Sequence, residues 1–292
     1  AFGIVAVNRP IPTNGTLRLL LVQQNADSWN TRDVASPLRT AQELTDAGLR
    51  QMPEPDLIVW SETSLRFLYN SEYGRRWYEN NPETEPFTRF LARLPAPLMT
   101  GSPHQGDGEV TVHNAVLMLN QDGSIDEWYG KQQLVPFAEH VPYWESPAVQ
   151  RFFQEVVGIQ AIWAPGPETR LFAVERSRGD PVMVGTPICF EDGFANVVRR
   201  FIRTGADVLV NLTNNAWSRT DSAQLQHLVA ARFRSVETRR SLIRSTNAGY
   251  TGVVDAWGRV TAGLPMFEGA YLPAEVPIYA PERPTVYVLW GD

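Results

Sequence analysis

One thiol, one ammonium and one carboxylate stand at comparable places along this chain of 292 residues. Cys189, the only cysteine, lies in GTPICFED after the apolar run PVMVGTPI. Glu62 follows DLIVWS, and Lys131 follows the return strand of a hairpin, AVLMLNQDGSIDEWYGK. Each reactive group is thus expected at or just past the end of a strand. In α/β sheets the loops at strand ends converge over one crevice, where sites gather. A carboxylate there can take the thiol proton, and an ammonium can favour the thiolate and hold an oxyanion. The thiolate can then attack a carbonyl and keep the acyl group as a thioester. Taken singly, each residue has a plainer reading. A lone cysteine behaves as a small buried hydrophobe, and a glutamate or lysine is ordinarily a solvated surface charge. Spacing alone does not bring the three together. The histidines at 104, 113, 140 and 227 fall in no evident thiol-partner motif and in no His-x-x-x-His metal pattern.

The elements that must position these groups alternate in type. LRLLLVQ (17–23), DLIVW (56–60), PLMTGS (97–102), RLFAVE, PVMVGTPICF and DVLVNLT (207–213) read as strands. RTAQELTDAGLRQM (39–52), PFTRFLARL (86–94) and ANVVRRFIRTG read as helices, the last closed by Gly205. Asp122-Gly123 turns the first hairpin and Gly258 a second, TGVVDAWGRVTAG. The clearest helix is 222–240, with Leu225, Leu228, Val229, Phe233 and Val236 on one face, the face expected to be buried. Strand–helix alternation with two hairpins predicts an α/β fold. Both halves run strand, helix, strand, hairpin, which suggests two mixed sheets packed face to face with helices outside. No low-complexity linker divides the chain, so one domain spanning 1–292 is expected.

Composition narrows the function. Apolar residues make up 43% and charged residues 20%, as in an ordinary globular protein, and the net charge of −6 without a basic tract argues against nucleic acid as a partner. One cysteine excludes an internal disulfide framework and a multi-cysteine metal cluster. The Asn-x-Thr triplets at Asn14 and Asn211 read as chance, the second because it lies in an apparent buried strand. No run of eighteen apolar residues and no signal peptide is present. The chain opens on AFGIVAVNRP without an initiator Met and stops at TVYVLWGD, as an excised domain or a processed mature chain would.

Three ordered segments, LIVWSE, YGKQQLVPFAEHVP and ICFED, resemble the carbon–nitrogen hydrolase (nitrilase) superfamily over nearly the whole chain. The resemblance implies an αββα sandwich, with Glu62 as general base, Lys131 as oxyanion and thiolate stabiliser, and Cys189 as nucleophile. GKQQLVPFAEHVPYWE, the long segment from TNNAW to AWGRV, and TVYVLWGD are similar to the apolipoprotein N-acyltransferase family within it. That likeness implies an extracytoplasmic catalytic domain between membrane helices at the bacterial inner membrane, with 1–15 and 281–292 near the membrane junctions. It also implies supporting roles for Glu139, Glu191 and the Phe190 N–H, and substrate-binding roles for Trp217 and Trp29. Departures from the family pattern are Ser61 before the base, Phe190 after the nucleophile, Ala138 before Glu139, and Asn215 in Asn-Asn-Ala-Trp.

The reaction so implied is ping-pong: a phospholipid donates an acyl chain to Cys189, and the amine of a diacylglyceryl-cysteine lipoprotein accepts it, with no cofactor, metal or nucleotide. Lipid substrates need an apolar approach. The stretch 145–163, with Val149, Phe152, Phe153, Val156, Val157 and Trp163, reads either as a lid facing the membrane surface or as a core helix. The aromatic segment 66–81 is a second flap or a surface loop. The competing reading is a soluble amidase or carbamoylase that uses the same triad to hydrolyse a small C–N bond. Oligomeric state is not legible.

Overall fold

The computed structural model describes residues 10–26, 33–106, 108, 110–141, 143–144, 146–152, 155 and 163–291. Strand β1 (Thr13–Gln23) is followed by helix α1 (Ser36–Leu49), β2 (Leu57–Val59), α2 (Glu72–Asn80), α3 (Phe87–Ala92) and the strands β3 (Leu98–His104), β4 (His113–Leu119) and β5 (Ile125–Gly130). After α4 (Pro147–Phe152) come β6 (Leu171–Val174), β7 (Val182–Gly185), a 3-10 turn (Cys189–Gly193), α5 (Ala195–Thr204), β8 (Val208–Thr213) and α6 (Asp221–Thr238). The chain ends with β9 (Leu242–Thr246), β10 (Gly252–Val254), β11 (Val260–Gly263), β12 (Ala270–Tyr279) and α7 (Val286–Trp290).

Among the described residues twelve strands form two mixed sheets, ordered β12-β1-β2-β3-β4-β5 and β11-β10-β9-β8-β7-β6. The halves repeat one ladder. In the first sheet β1, β2 and β3 are parallel, with antiparallel partners on either side. In the second β7, β8 and β9 are parallel, flanked in the same way. Side-chain alternation along β1 explains why the sheets stack. Leu17, Leu19 and Leu21 join Val184, Leu209 and Ile243 in the inter-sheet core. Leu20 and Val22 point the other way, into a cluster with Trp60, Tyr78, Phe87 and Phe90 beneath the helices. A strand buried on both faces reads as a continuous apolar run, which LRLLLV is.

Two expectations need correction. Cys189 does not end a strand: β7 stops at Gly185, and Cys189 opens the 3-10 turn four residues beyond it. Pro187 has no N–H for a ladder, and only an isolated bridge from Ile188 to Leu212 continues toward β8. The second correction concerns α6. Leu225, Val229, Phe233 and Val236 are 46%, 49%, 57% and 38% exposed. The buried face carries Gln224, His227, Leu228, Ala231, Arg234, Ser235 and Thr238 instead. The inward side must supply polar partners to the turn holding Cys189, and that requirement overrides the apolar periodicity.

The segment 66–81 contains an ordered helix, α2, capped by Ser71, whose side chain accepts from the Gly74 N–H. Phe67 packs edge-on against Tyr73 and Trp77, so this part of the segment is an aromatic cluster. Within 145–163, α4 has no buried residue, and Phe153, Val156, Val157, Ile159 and Ile162 lie outside the described residues.

Candidate active site

Glu62 sits three residues past β2, and a close approach from β3 sets its backbone. A Cβ at Gly101 would fall 2.6 Å from the Glu62 Cα and 2.4 Å from the Thr63 nitrogen, so only glycine fits there. The Glu62 carboxylate is buried and doubly held. Oε1 accepts from Asn114 Nδ2 at 2.7 Å, and Oε2 from the Asn214 N–H at 2.6 Å. Asn114 lies on β4 and Asn214 just beyond β8, so each sheet contributes one hydrogen bond to the same carboxylate.

Lys131, the residue after β5, is fully buried. Its Nζ donates to Glu139 Oε1 at 2.7 Å and lies 4.0 Å from Glu62 Oε1. Glu139 is fixed in turn by the Val135 N–H at 2.8 Å. Burial alone would lower the Lys131 pKa, but Cys189, Glu62 and Glu139 together raise it, so the group stays an ammonium. Burial lifts the Glu62 carboxyl above 4.5, opposed by Lys131 and helped by Glu139. Burial likewise pushes the Cys189 thiol well above 9.0, and Glu62 adds to the rise while Lys131 opposes it. The thiol therefore rests protonated beside a carboxylate and an ammonium. Three groups far apart in sequence share one electrostatic environment.

The turn at Cys189 is strained and braced. Cys189 has φ of +51°, in the left-handed region that side chains disfavour. Asn211 of β8 donates to the carbonyls of Pro187 and Cys189, both at 2.9 Å. Glu191 is fully buried and accepts from the N–H groups of Gln132, Gln133 and Ile188 at 2.8, 2.9 and 2.8 Å, and from Tyr129 Oη at 3.1 Å. One side chain thus ties the nucleophile turn to the segment following Lys131. Asp192 faces the other way, where it pairs with Arg244 of β9 and accepts from His227 Nε2 at 2.8 Å. His227 Nδ1 faces two donors, Asn215 Nδ2 and Arg244 NH2, each at 3.3 Å, which places the ring proton on Nε2. The Phe190 ring stacks on His227 at 4.4 Å between centroids, with Trp217 at 6.4 Å on its other flank.

Of the residues singled out from sequence, the structure brings together Glu62, Lys131, Cys189, Glu139 and Glu191. Trp217 is 56% exposed beside Phe190, and the Trp163 N–H donates to the Glu139 carbonyl at 3.0 Å. Phe152 is exposed on α4, and Trp29 and Phe153 lie outside the described residues. Asn114, Asn211, Asn214, Asp192, His227 and Arg244 were missed. A signal for two existed: HNAVLML and VLVNLT each place an asparagine inside an otherwise apolar strand, where an amide needs a partner. A small cavity of about 80 Å³ opens beside Glu62, bounded by Leu38, Ser64, Arg66, Trp77 and Asn247 among others. Of the three reactive groups only Glu62 lines it. Among the described residues no cluster of three or more His, Cys, Asp or Glu could hold a metal, and no helix is long and apolar enough to cross a membrane.

Residues 19–279 match the carbon–nitrogen hydrolase family, and the chain belongs to that family. It is 40% identical over 292 residues to apolipoprotein N-acyltransferase 2 of Treponema denticola, covering 100% of this chain and 55% of the relative. It is 40% identical to apolipoprotein N-acyltransferase 2 of Treponema pallidum, covering 95% of this chain and 54% of the relative. The chain therefore spans about half the length of the curated relatives it matches. Among solved structures, Nit3 of Saccharomyces cerevisiae, in the nitrilase superfamily, matches with a TM-score of 0.60 at 18% identity, covering 91% of each chain. A carbon–nitrogen hydrolase from Helicobacter pylori matches at 0.62 and 16%, covering 91% of this chain and 90% of that one. These two likenesses establish the αββα fold.

Proposed function

We propose that this carbon–nitrogen hydrolase family member is the catalytic domain of an apolipoprotein N-acyltransferase, which moves a fatty acyl chain from a phospholipid to the N-terminal amine of a diacylglyceryl-cysteine lipoprotein. The observation that carries the reading is a buried thiol, ammonium and carboxylate in one electrostatic environment. Its direction comes from the relatives, since the two acyltransferases above are similar over all or nearly all of this chain.

The chemistry follows from the resting protonation states. Cys189 attacks the ester carbonyl as Glu62 takes its proton. Lys131 Nζ, with N–H bonds to spare beyond the one to Glu139, and the Phe190 N–H hold the tetrahedral oxyanion. Collapse expels the lysophospholipid alkoxide, which takes the proton back from Glu62, and leaves a thioester. The lipoprotein amine then attacks, Glu62 accepts its proton, and the departing thiolate is reprotonated. Glu139 and Glu191 act by positioning, the first on Lys131 and the second on the turn. Trp217, Trp163, Trp29, Phe152 and Phe153 serve the acyl chain or the acceptor. The domain works at the extracytoplasmic face of a bacterial inner membrane, in one unit spanning 1–292.

Intact-mass analysis after incubation with phospholipid tests the mechanism. An acyl adduct is expected on the chain and not on Cys189→Ala, whose transfer rate falls by at least about 10³-fold. A diacylglyceryl-cysteine peptide should discharge the adduct by forming an amide. An active Cys189→Ala variant overturns the mechanism. Rapid turnover of water-soluble amides, with no transfer, favours the hydrolytic reading.

A further inference from the structure

Asn247 follows β9 directly and lines the cavity beside Glu62. It is 4% exposed, and a buried amide needs partners for its polar groups. Those partners lie on two segments that both lead to the carboxylate. The backbone N–H of Asn247 donates to the Thr213 carbonyl at 2.9 Å, one residue past the Thr213–Thr246 pair that ends the β8–β9 ladder. That carbonyl shares a peptide plane with the Asn214 N–H, which donates to Glu62 Oε2 at 2.6 Å. A trans peptide points its C=O and N–H in opposite directions, so holding the oxygen aims the N–H at the carboxylate. Asn247 Nδ2 adds a second hold by donating to Asn214 Oδ1 at 3.1 Å.

The remaining groups of Asn247 grip the chain that leaves β1. Its Oδ1 accepts from the Ala26 N–H at 2.9 Å, and its Nδ2 donates to the Ala26 carbonyl at 2.8 Å. One carboxamide thus meets both backbone groups of a single residue, as a neighbouring strand would. The Asn247 carbonyl accepts from the Asn25 N–H at 2.6 Å. Asn25 itself has φ of +52°, and its side chain donates to the Phe267 carbonyl at 2.7 Å, so the bend after β1 is held from two directions. Ala26, Glu62, Asn214 and Asn247 all line the same cavity.

We propose that Asn247 is a positioning residue for the general base: it sets the Thr213–Asn214 peptide that holds the Glu62 carboxylate, and it ties that peptide to the chain leaving β1 at Ala26. The inference rests on the reading of Glu62 as the base. Burial raises the Glu62 pKa, Lys131 lowers it, Glu139 raises it, and the hydrogen bonds from Asn114 and the Asn214 N–H lower it. A hydrogen bond to the ionised form favours that form. Loosening the peptide weakens one such bond, so the carboxyl then ionises at higher pH. The charged and titratable groups around Glu62 are Lys131, Glu139 and Cys189, with Arg66 on the cavity wall. Asn247→Ala changes none of them.

Carbon NMR of the chain labelled at glutamate carboxyls, with Glu62 assigned by its loss in Glu62→Gln, reads the effect without any lipid. Asn247→Ala should raise the Glu62 midpoint by about half a pH unit or more. Asn247→Asp keeps the acceptor for Ala26 but sets a carboxylate against Asn214 Oδ1, and should raise it further. Asn214→Ala keeps the N–H and removes Oδ1, so it should give part of the shift, and the double variant no more than Asn247→Ala alone. At saturating detergent-solubilised phospholipid, acyl-adduct formation on Cys189 in Asn247→Ala should slow by about tenfold at neutral pH, with the half-saturating concentration changed by less than about twofold. An unmoved Glu62 midpoint in both Asn247 variants overturns the proposal, and additive shifts from the two asparagines overturn it by placing them on separate routes. Circular dichroism checks folding. Should the Asn247 variants not fold, Asn214→Ala carries the test, since Asn214 is only half-buried, and no shift there overturns the proposal. A midpoint that moves as expected while even the unsubstituted chain forms no adduct removes the acyl-transfer reading alone. Adduct formation with an unmoved midpoint removes this inference alone.

Discussion

The two sheets share a ladder but use their outer helices differently. Over the first sheet, α3 contributes Phe87 and Phe90 to an aromatic cluster with Trp60 and Tyr78, an ordinary apolar interface. Near the second, α6 turns His227, Gln224 and Arg234 inward and most of its large apolar groups outward. The first sheet carries the acid and the ammonium on segments held by other loops. The second carries the nucleophile on a strained turn, and α6 gives up apolar packing to brace that turn. Stability and site-building are therefore divided between the halves, and substitutions in each should fail in different ways.

The largest effect expected bears on what the first half supplies. Glu62→Gln keeps the side chain's size but removes the proton acceptor, so acyl transfer should fall by about 10²- to 10⁴-fold. Burial raises the Glu62 pKa above 4.5, so the proton is lost at higher pH than in an ordinary carboxyl. Transfer by the unsubstituted chain should accordingly rise with pH through a midpoint above 4.5, and the Gln variant should lack that limb. A limb that persists in the variant assigns the base elsewhere.

Next comes a contrast between ion pairs. Asp192 is fully buried with Arg244 and His227, so Asp192→Ala leaves a buried guanidinium uncompensated and should cost about 3–5 kcal/mol of unfolding free energy. In the first half, Arg93 bridges Asp46 and Glu85 at 2.6 and 2.7 Å but is 39% exposed. Arg93→Ala should therefore cost at most about 1 kcal/mol. Denaturant titration compares them, and equal losses would erase the distinction between the halves.

Much of this was legible in the sequence, for physical reasons. Strands buried on both faces are continuous apolar runs, and Asp122-Gly123 can turn a hairpin with little strain, so the sheets could be read. Glu62 and Cys189 stood out because each followed such a run, and Lys131 because it followed the return strand of a hairpin. What could not be read is the partner set. Asp192 finds Arg244 only because β7 and β9 flank β8, and Asn214 reaches Glu62 only because the sheets stack. The position of Cys189 was missed by a few residues because Pro187 breaks the ladder without breaking the apolar pattern. The inward face of α6 was misread because periodicity reports where apolar residues lie, not which way the helix faces.

That misreading yields the smallest prediction. If α6 packed by its apolar stripe, Phe233→Ser would remove a core aromatic and cost about 3–5 kcal/mol. Phe233 is instead 57% exposed, so the change should stay within about 0.5 kcal/mol. Leu228, one of the few apolar residues on the inward face and 5% exposed, should behave oppositely, with Leu228→Ala costing about 2–5 kcal/mol. The pair serves as an internal control, since both residues sit on one helix and both changes remove an apolar side chain. Thermal or denaturant unfolding that ranks Phe233 above Leu228 would turn the helix around. His227 and Gln224 would then face solvent, and Asp192 would lose the hydrogen bond from His227 Nε2.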